Sequence, residues 1–332
     1  MKKEKKIMKN QIKTGIFTTV TALTLLFTAS CGSTKTAGTD EKKVFKIGVT
    51  QFADHPSLDN CREGFISGLK KNGFTDGENI EIEYKSAQSD MAMAKQIAEK
   101  FAADKKDLVC GIATPSAQSL YASCQNAKIP VIFNAISDPV GAKLAVSETE
   151  NMDGVTGVSD RLPVKEQLEL IRKILPDAKK IGILYTVSEA NSVSTVKTYQ
   201  ELAGEYGFEI VDRGISKQAE VTQAADVLLN EVDCLSNLTD NTVVAALGVV
   251  LEKANAKNIP VFGSEEEQVK NGCIACCGLD YFKLGEQTGE IAARVLNGED
   301  INTIHFETVK ESSVFTNAEV AQKLGITLPA DL

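Results

Sequence analysis

From Val44 onward, short runs of β-branched and other apolar residues alternate with longer segments whose apolar residues recur at helical period. The short runs have the length of buried strands and are bounded by polar residues, glycine or proline. The predicted strands are Val44–Thr50, Ile80–Tyr84, Leu108–Ile112, Val131–Asn134, Val155–Val158, Lys180–Tyr185, Glu209–Asp212, Cys234–Leu238, Val261–Gly263 and Cys273–Leu279.

The segments between these runs carry apolar residues at i, i+3, i+4 and i+7, which is the spacing of one helix face. They include Ala94, Ile97, Ala98 and Phe101 in one helix, and Leu284, Thr288, Ile291, Ala292 and Val295 in another. Strands that alternate with helices form parallel sheets covered on both faces. The pattern therefore predicts an α/β protein built on doubly wound parallel sheets.

The alternation starts again near residue 160, where the segment 158–165 (VSDRLPVK) has the proline and mixed charge of a crossover. A chain of 332 residues is also long for one core. We predict lobe 1 over residues 44–160 with a return helix at 281–300, and lobe 2 over 161–280 with the C-terminal segment 301–332. Several crossing strands would join the lobes as a hinge.

The first thirty residues resemble an export signal, with six lysines before a stretch over residues 16–27 that is apolar apart from threonines. A stretch of twelve residues is too short to cross a bilayer as a helix. The next residues, Thr28-Ala29-Ser30-Cys31, resemble a bacterial lipobox, in which the cysteine is acylated, and residues 31–43 form a polar tether. The alternative is plain secretion with cleavage at the same small residues. Acylation of Cys31 would anchor the mature protein to the outer face of the membrane.

Charge and cysteine content exclude several classes of function. The net charge is −9, and because residues 1–30 carry +5, residues 31–332 carry −14, which disfavours nucleic-acid binding. The cysteines left after Cys31 are odd in number and lie among apolar residues, unlike a disulfide framework. Cys273, Cys276 and Cys277 lack the second cysteine pair or histidines of a metal site. We therefore expect no metal and no cofactor.

Ligands of open α/β sheets bind beyond the carboxyl ends of the strands, where this chain places polar residues. The candidate ligand-binding residues are Gln51, Phe52, Thr114, Ser116, Ser137, Asp138, Glu189, Asn191, Ser192, Asp240, Asn241 and Asp280. Helix N-termini favour a carboxylate and the acidic side chains an ammonium, so the set suits a zwitterion. Each residue alone is equally consistent with a helix cap. We expect Asp240→Ala to weaken binding while the empty protein stays folded.

The run of residues 47–73 resembles the start of bacterial ABC-transporter solute-binding lipoproteins of the tryptophan/tyrosine type. The resemblance continues, in the family's order, through the blocks 114–118 (TPSAQ), 137–141 (SDPVG), 188–192 (SEANS), 239–242 (TDNT) and 278–281 (GLDY). It implies a type I periplasmic-binding fold, a lipid-anchored extracytoplasmic monomer without enzymatic activity, and partnership with an ABC permease and its ATPase. It also implies a small ligand, with aromatic amino acids favoured.

Two other functions remain open at this point. An exported hydrolase or transferase would use His55 with an acidic partner, although His55 before Pro56 is also a normal helix-entry residue. A sensory module would pass lobe closure to a signalling partner. The run 264–267 (SEEE) is interpreted as a capping box with Ser264 at the cap.

Overall fold

The structure is a computed structural model that describes residues 43–309 and 311–332. Its strands are β1 (Phe45–Gln51), β2 (Ile80–Ser86), β3 (Leu108–Ile112), β4 (Val131–Asn134), β5 (Ala145–Ser147), β6 (Glu150–Asn151), β7 (Val155–Ser159), β8 (Lys180–Thr186), β9 (Glu209–Ile215), β10 (Cys234–Ser236), β11 (Val261–Phe262), β12 (Ala275–Gly278), β13 (Glu307–Thr308) and β14 (Ser313–Thr316). Its helices are α1 (Pro56–Lys71), α2 (Met91–Ala103), α3 (Thr114–Cys124), α4 (Val164–Ile174), α5 (Ala190–Leu202), α6 (Val221–Leu228), α7 (Asn241–Ala245), α8 (Leu247–Ala256), α9 (Glu266–Lys270), α10 (Tyr281–Leu296) and α11 (Ala318–Lys323).

Two separate parallel sheets organise the chain. The first has six strands in the order β13-β7-β4-β3-β1-β2, and the second has four in the order β11-β10-β8-β9. Every residue of β3, β4 and β7 is buried, as expected for strands with helices on both faces. The prediction of doubly wound parallel sheets is confirmed.

Each sheet has its own hydrophobic core, and we name the lobes accordingly. Lobe 1 comprises residues 45–160 and 281–309, and its core includes Phe65, Phe101 and Phe133. Lobe 2 comprises residues 164–278 and 313–332, with two core clusters, one around Tyr199 and Phe262 and one around Leu228. The chain crosses between the lobes after Asp160, before Tyr281 and near Glu311.

Some local predictions differ from the structure. Residues 301–309, grouped with lobe 2 from the sequence, lie in lobe 1, where β13 pairs with β7. The segment 241–256 forms two helices, with Ala246 separating α7 from α8. Strand β12 pairs in antiparallel fashion with β14. Glu265, and not Ser264, caps α9, with its carboxylate accepting from the N–H groups of Glu267 and Gln268.

Helices α1 and α10 pack almost backbone to backbone in lobe 1. A Cβ added to Gly64 would lie 2.1 Å from the Phe282 carbonyl oxygen, and one added to Gly285 would lie 2.3 Å from the Cys61 carbonyl oxygen. Gly68 and Gly289 repeat the pattern one turn further along. The glycines are therefore required for this close approach, which fixes the positions of both helix N-termini.

None of the described helices is long and apolar enough to cross a bilayer. Cys31, the predicted lipidation site, and the predicted signal and most of the tether lie outside the described residues. The seven described cysteines are all buried and free, and burial raises the pKa of each thiol, for example that of Cys124 to about 11. These thiols are therefore held in their unreactive protonated form.

Candidate ligand-binding site

A small cavity of about 20 Å³ lies between the lobes, at the carboxyl ends of both parallel sheets. This volume holds about one water molecule, so a larger ligand enters only if the residues of the wall move. Lobe 1 contributes His55, Ser57, Leu58, Ala113, Thr114, Ala135, Ser137, Asp160 and Tyr281, and lobe 2 contributes Asn191, Thr239, Asn241, Val244, Glu265 and Gln268. Among the residues that the structure describes, no lysine or arginine lines it. Four of the predicted residues, Thr114, Ser137, Asn191 and Asn241, are therefore brought together here.

The N-terminus of α3 faces this cavity with an unusual backbone. Ala113 has φ 72° and ψ 154°, a region that residues with a side chain rarely occupy, and Ala135 after β4 also has a positive φ of 60°. Such conformations cost on the order of 1–3 kcal/mol each and cluster at functional sites. Both alanines line the cavity. The strain therefore lies where the backbone approaches the ligand space.

Thr114 does not cap α3, because Ala113 occupies the cap position. The Oγ1 atom of Thr114 is consequently buried without a hydrogen-bond partner among the described residues, and so is Oγ of Ser116 in the same turn. The first turn of a helix also leaves N–H groups without helix partners. Of these two residues only Thr114 lines the cavity.

His55 lies at the cap position of α1 but makes no capping bond with its side chain. Both ring nitrogens are buried and unpaired within the described part of the chain. Burial lowers the pKa of His55 to about 4, against the opposing effect of the Asp59 carboxylate. The imidazole is therefore neutral at physiological pH and has one donor and one acceptor available.

Asp160 forms the acidic end of the cavity on lobe 1. Its carboxylate accepts from the Ser137 hydroxyl at 2.9 Å and from the Tyr281 hydroxyl at 2.5 Å. Burial raises the pKa of Asp160, while these two hydrogen bonds oppose the shift. Asp160 was not predicted because the segment after β7 was interpreted only as a crossover.

Glu265 supplies a second buried carboxylate, from lobe 2. Burial raises its pKa to about 7, although the two backbone N–H groups of α9 lower it. The neighbouring Gln268 carboxamide donates to the Leu238 carbonyl and the Ser264 hydroxyl. The run 264–267, interpreted from the sequence as an inert capping box, therefore places one member at the cavity.

Two of the predicted acidic ligands serve as helix caps. The Asp240 carboxylate accepts four hydrogen bonds, two from Thr186, one from the Ser192 hydroxyl and one from the Val243 N–H. Glu189 accepts from the backbone and side chains of Asn241 and Thr242. Neither carboxylate lines the cavity. Burial raises the pKa of both groups.

Asn191 and Asn241 extend from this network into the cavity. The Asn191 amide nitrogen donates to the Thr239 carbonyl oxygen at 3.1 Å, while its Oδ1 atom is buried and unpaired. The Asn241 amide is held by Glu189 at 2.6 Å. Glu189 thus positions cavity residues without lining the cavity itself.

The remaining predicted residues lie outside the cavity, each satisfied by other contacts. Gln51 bonds to Ala53, Asp59 and Arg62. Phe52 packs in the core of lobe 1. Ser192 donates to Asp240. Asp280 caps α10 and lines a different surface groove.

Asp138 belongs to a set of contacts that join the lobes beside the cavity. The Ser194 hydroxyl of lobe 2 donates to its carboxylate at 2.6 Å, and the hydroxyls of Ser137 and Thr239 are 3.5 Å apart. On the other side, the Asn60 amide donates to Glu267 at 3.4 Å. The lobes are therefore in contact around the cavity, in a closed arrangement.

Buried titratable groups with opposite pKa shifts determine the pH dependence of stability. Glu189 and Glu265, each with a pKa raised from 4.5 to about 7, contribute stability that is lost as pH rises from 4.5 to 7. His55, with a pKa lowered from 6.5 to about 4, contributes stability that is lost as pH falls from 6.5 to 4. Because two carboxyl groups oppose one imidazole, we expect the free energy of unfolding of the ligand-free protein to decline from pH 5 to 7, measured by urea unfolding. In Glu265→Gln this decline should shrink; an unchanged decline would exclude Glu265 as one of its sources.

The family described as ABC transporter substrate binding protein matches residues 46–332. The chain belongs to this family. As an ABC substrate-binding protein it is 41% identical over 295 residues to a relative named Tyrosine-binding protein from Clostridioides difficile (strain R20291), covering 89% of this chain and 85% of the relative. Members of this family bind solutes and are not enzymes, and substrate-binding proteins of ABC importers are extracytoplasmic.

Two solved structures of similar proteins can be compared with the arrangement of the lobes in this chain. One is described as an ABC domain in complex with L-Trp from Streptococcus pneumonia; it is 32% identical, with a TM-score of 0.84 over 87% of this chain and 97% of that one. The other is a ligand-free, open substrate binding protein with adhesive properties from Clostridium difficile; it is 41% identical over the same shares, with a TM-score of 0.66. The backbone of this substrate-binding protein is thus more similar to that of the L-Trp complex than to that of the open structure, although its sequence identity with the complex is lower. This difference agrees with the closed arrangement of its lobes.

More distant structures share the fold alone. A Bacillus halodurans ABC transporter solute binding protein, 19% identical over 86% of this chain and 99% of that one, has a TM-score of 0.62. The fold is that of type I periplasmic binding proteins, as the resemblance implied.

Proposed function

We propose that this protein binds an aromatic L-amino acid in the cavity between its lobes and presents it to an ABC permease for import. The observation that carries the proposal is the convergence of buried, unpaired polar atoms on one cavity from both lobes, namely those of His55, Thr114 and Asn191. An unpaired buried polar atom costs about 1–3 kcal/mol, so a ligand that pairs these atoms stabilises the closed state.

The ligand carboxylate is assigned to the N-terminus of α3. The unpaired Oγ1 of Thr114 lines the cavity, and the first helical turn beside it has N–H groups without helix partners. The helix dipole adds a favourable interaction with an anion of up to about 2 kcal/mol when the site is partly buried.

The ligand ammonium is assigned to the acidic side of the cavity. Asp160 and Glu265 are both buried, and the described lining contains no lysine or arginine to neutralise them, while His55 is held neutral. Burial without a cation is unfavourable for an ionised carboxylate, and an ammonium would supply the missing charge. The cavity therefore offers complementary sites for the two charges of a zwitterion.

The side chain of the ligand is assigned to the apolar part of the wall. Leu58, Val244 and the Tyr281 ring line the cavity beside the strained alanines. These groups suit a planar apolar side chain. The names of two relatives, one a Tyrosine-binding protein and one a complex with L-Trp, favour an aromatic amino acid.

The charge assignments predict how ligand analogues and a cavity variant behave. Tyramine lacks the carboxylate and 3-(4-hydroxyphenyl)propionate lacks the ammonium, so each should bind at least about 100-fold more weakly than L-tyrosine by calorimetry. Thr114→Val keeps the volume of the side chain and removes the hydroxyl. It should weaken the binding of L-tyrosine about tenfold and leave the affinity for tyramine unchanged. Ser119→Ala, on the same helix but outside the cavity, is the matched control. Equal weakening of both ligands by Thr114→Val would contradict the carboxylate assignment.

We also propose that residues 1–30 are removed and that Cys31 is then acylated. The tether over residues 31–43 would hold a monomer at the outer face of the cell membrane. The basic and apolar pattern before Cys31 supports this. Metabolic labelling with an alkyne fatty acid should label the expressed chain and leave Cys31→Ser unlabelled and released. Equal labelling of both chains would contradict acylation at Cys31.

A further inference from the structure

His55 separates the ligand cavity from a second space between the lobes. An outer groove of about 200 Å³ is lined by residues of α7 and α8 and by the segment 55–57. The cavity and this groove share His55, Ser57, Val244, Glu265 and Gln268. The imidazole therefore lies, with these neighbours, in the wall between the cavity and the groove.

The order of strands places His55 three strands from Asp160, one of the two carboxylates assigned to the ligand ammonium, and one strand from Thr114. Asp160 follows β7, Thr114 follows β3 and His55 follows β1, in a sheet ordered β7-β4-β3-β1. With about 4.8 Å between neighbouring strands, the ends of β7 and β1 are roughly 14 Å apart. A tyrosine with a hydrogen bond at its ammonium and another at its phenol spans a comparable length. The distal end of the ligand side chain thus falls beside His55.

The hydrogen-bonding state of His55 fits a hydroxyl group. Its two ring nitrogens are both buried and make no hydrogen bond of ordinary geometry within the described chain, although the Asn241 side chain lies close enough to raise the pKa of His55. A neutral imidazole offers one donor and one acceptor, and a phenol hydroxyl can both donate and accept. A single hydroxyl therefore pairs with either tautomer, whereas a phenylalanine ring leaves both nitrogens unpaired.

We propose that His55 determines ligand specificity by hydrogen bonding to a phenol hydroxyl, so that the protein selects L-tyrosine over L-phenylalanine. This inference rests on the proposed binding of aromatic amino acids and adds the group that discriminates among them. A site built to bond a substrate hydroxyl rejects the analogue that lacks it, because the buried polar group is left unpaired.

The test is calorimetric titration of the full-length protein with L-tyrosine and L-phenylalanine, which differ only in the hydroxyl. Wild type should bind L-tyrosine about 10–100-fold more tightly. His55→Phe keeps a ring but removes both nitrogens, and it should abolish the preference by weakening L-tyrosine alone. His55→Gln keeps a donor and an acceptor and should retain part of the preference. His305→Phe alters the other, exposed histidine and should behave as wild type.

Three results would overturn the inference. Wild type that binds both ligands equally tightly shows that no hydroxyl is recognised. A wild-type preference that persists in His55→Phe assigns recognition to another residue. Equal weakening of both ligands by His55→Phe, in a variant with a normal unfolding transition, limits His55 to packing. If the wild type binds neither L-tyrosine nor L-phenylalanine, the proposed function itself fails.

Discussion

Asp240→Ala should lower the free energy of unfolding by about 3–5 kcal/mol. The Asp240 carboxylate is fully buried and accepts from the Thr186 N–H and hydroxyl, the Ser192 hydroxyl and the Val243 N–H. Alanine leaves these four donors without an acceptor at the junction of β8, α5 and α7. The expectation from sequence, a folded protein with weakened binding, is therefore replaced by a loss of stability.

The matched control is Asp90→Ala at the cap of α2, where the exposed side chain accepts a single hydrogen bond from the Met93 N–H. Its cost should be about 1 kcal/mol, as is usual for one cap. Both variants are measured by urea unfolding without ligand. If Asp240→Ala lowers the free energy of unfolding by no more than Asp90→Ala does, the four hydrogen bonds to Asp240 do not stabilise lobe 2 as proposed.

Gly64→Ala and Gly285→Ala should each destabilise the protein by about 2–4 kcal/mol. The added Cβ atoms would lie 2.1 Å and 2.3 Å from carbonyl oxygens of the facing helix, and backbone atoms cannot move aside as a flexible side chain can. Separation of α1 from α10 would also displace His55 and Tyr281, which stand at their N-termini. We therefore expect weaker ligand binding in whatever fraction remains folded.

Gly248→Ala provides the matched comparison for these glycines, because a Cβ there meets no atom within 4 Å and the residue lies in α8. It should be neutral or stabilising by up to about 1 kcal/mol through helix propensity. The three variants are compared by thermal and urea unfolding. A Gly64→Ala protein as stable as Gly248→Ala would contradict the backbone-to-backbone packing of α1 and α10.

The sequence was sufficient to predict β1–β4 and β7–β12, of which all but β12 are parallel. The clearest of them are β3, β4 and β7, which are buried along their whole length because helices cover both faces of the sheet. The sequence missed β5, β6, β13 and β14, which have two to four residues and show no period. The assignment of residues 301–309 to a lobe failed for the same reason, since the two-residue strand β13 fixes it.

The candidate site was predicted less completely than the fold. Polar residues after parallel strands gave Thr114, Ser137, Asn191 and Asn241, and the same rule applied to β7 would have given Asp160. It could not separate caps from cavity residues, because Asp240 and Thr114 are equally good capping residues by type. Their roles differ because Ala113, with its unusual backbone, takes the cap position of α3.

The most direct test of the account is calorimetric titration of the purified wild-type protein with L-tyrosine, L-tryptophan and L-phenylalanine, beside L-leucine, L-glutamate and myo-inositol. The account predicts one site per chain, a preference for aromatic L-amino acids, and stabilisation against unfolding by about 2.7 kcal/mol at a ligand concentration of 100 Kd. Saturable binding of leucine, glutamate or inositol with no binding of any aromatic amino acid, in protein shown by mass spectrometry to be free of ligand, would contradict it.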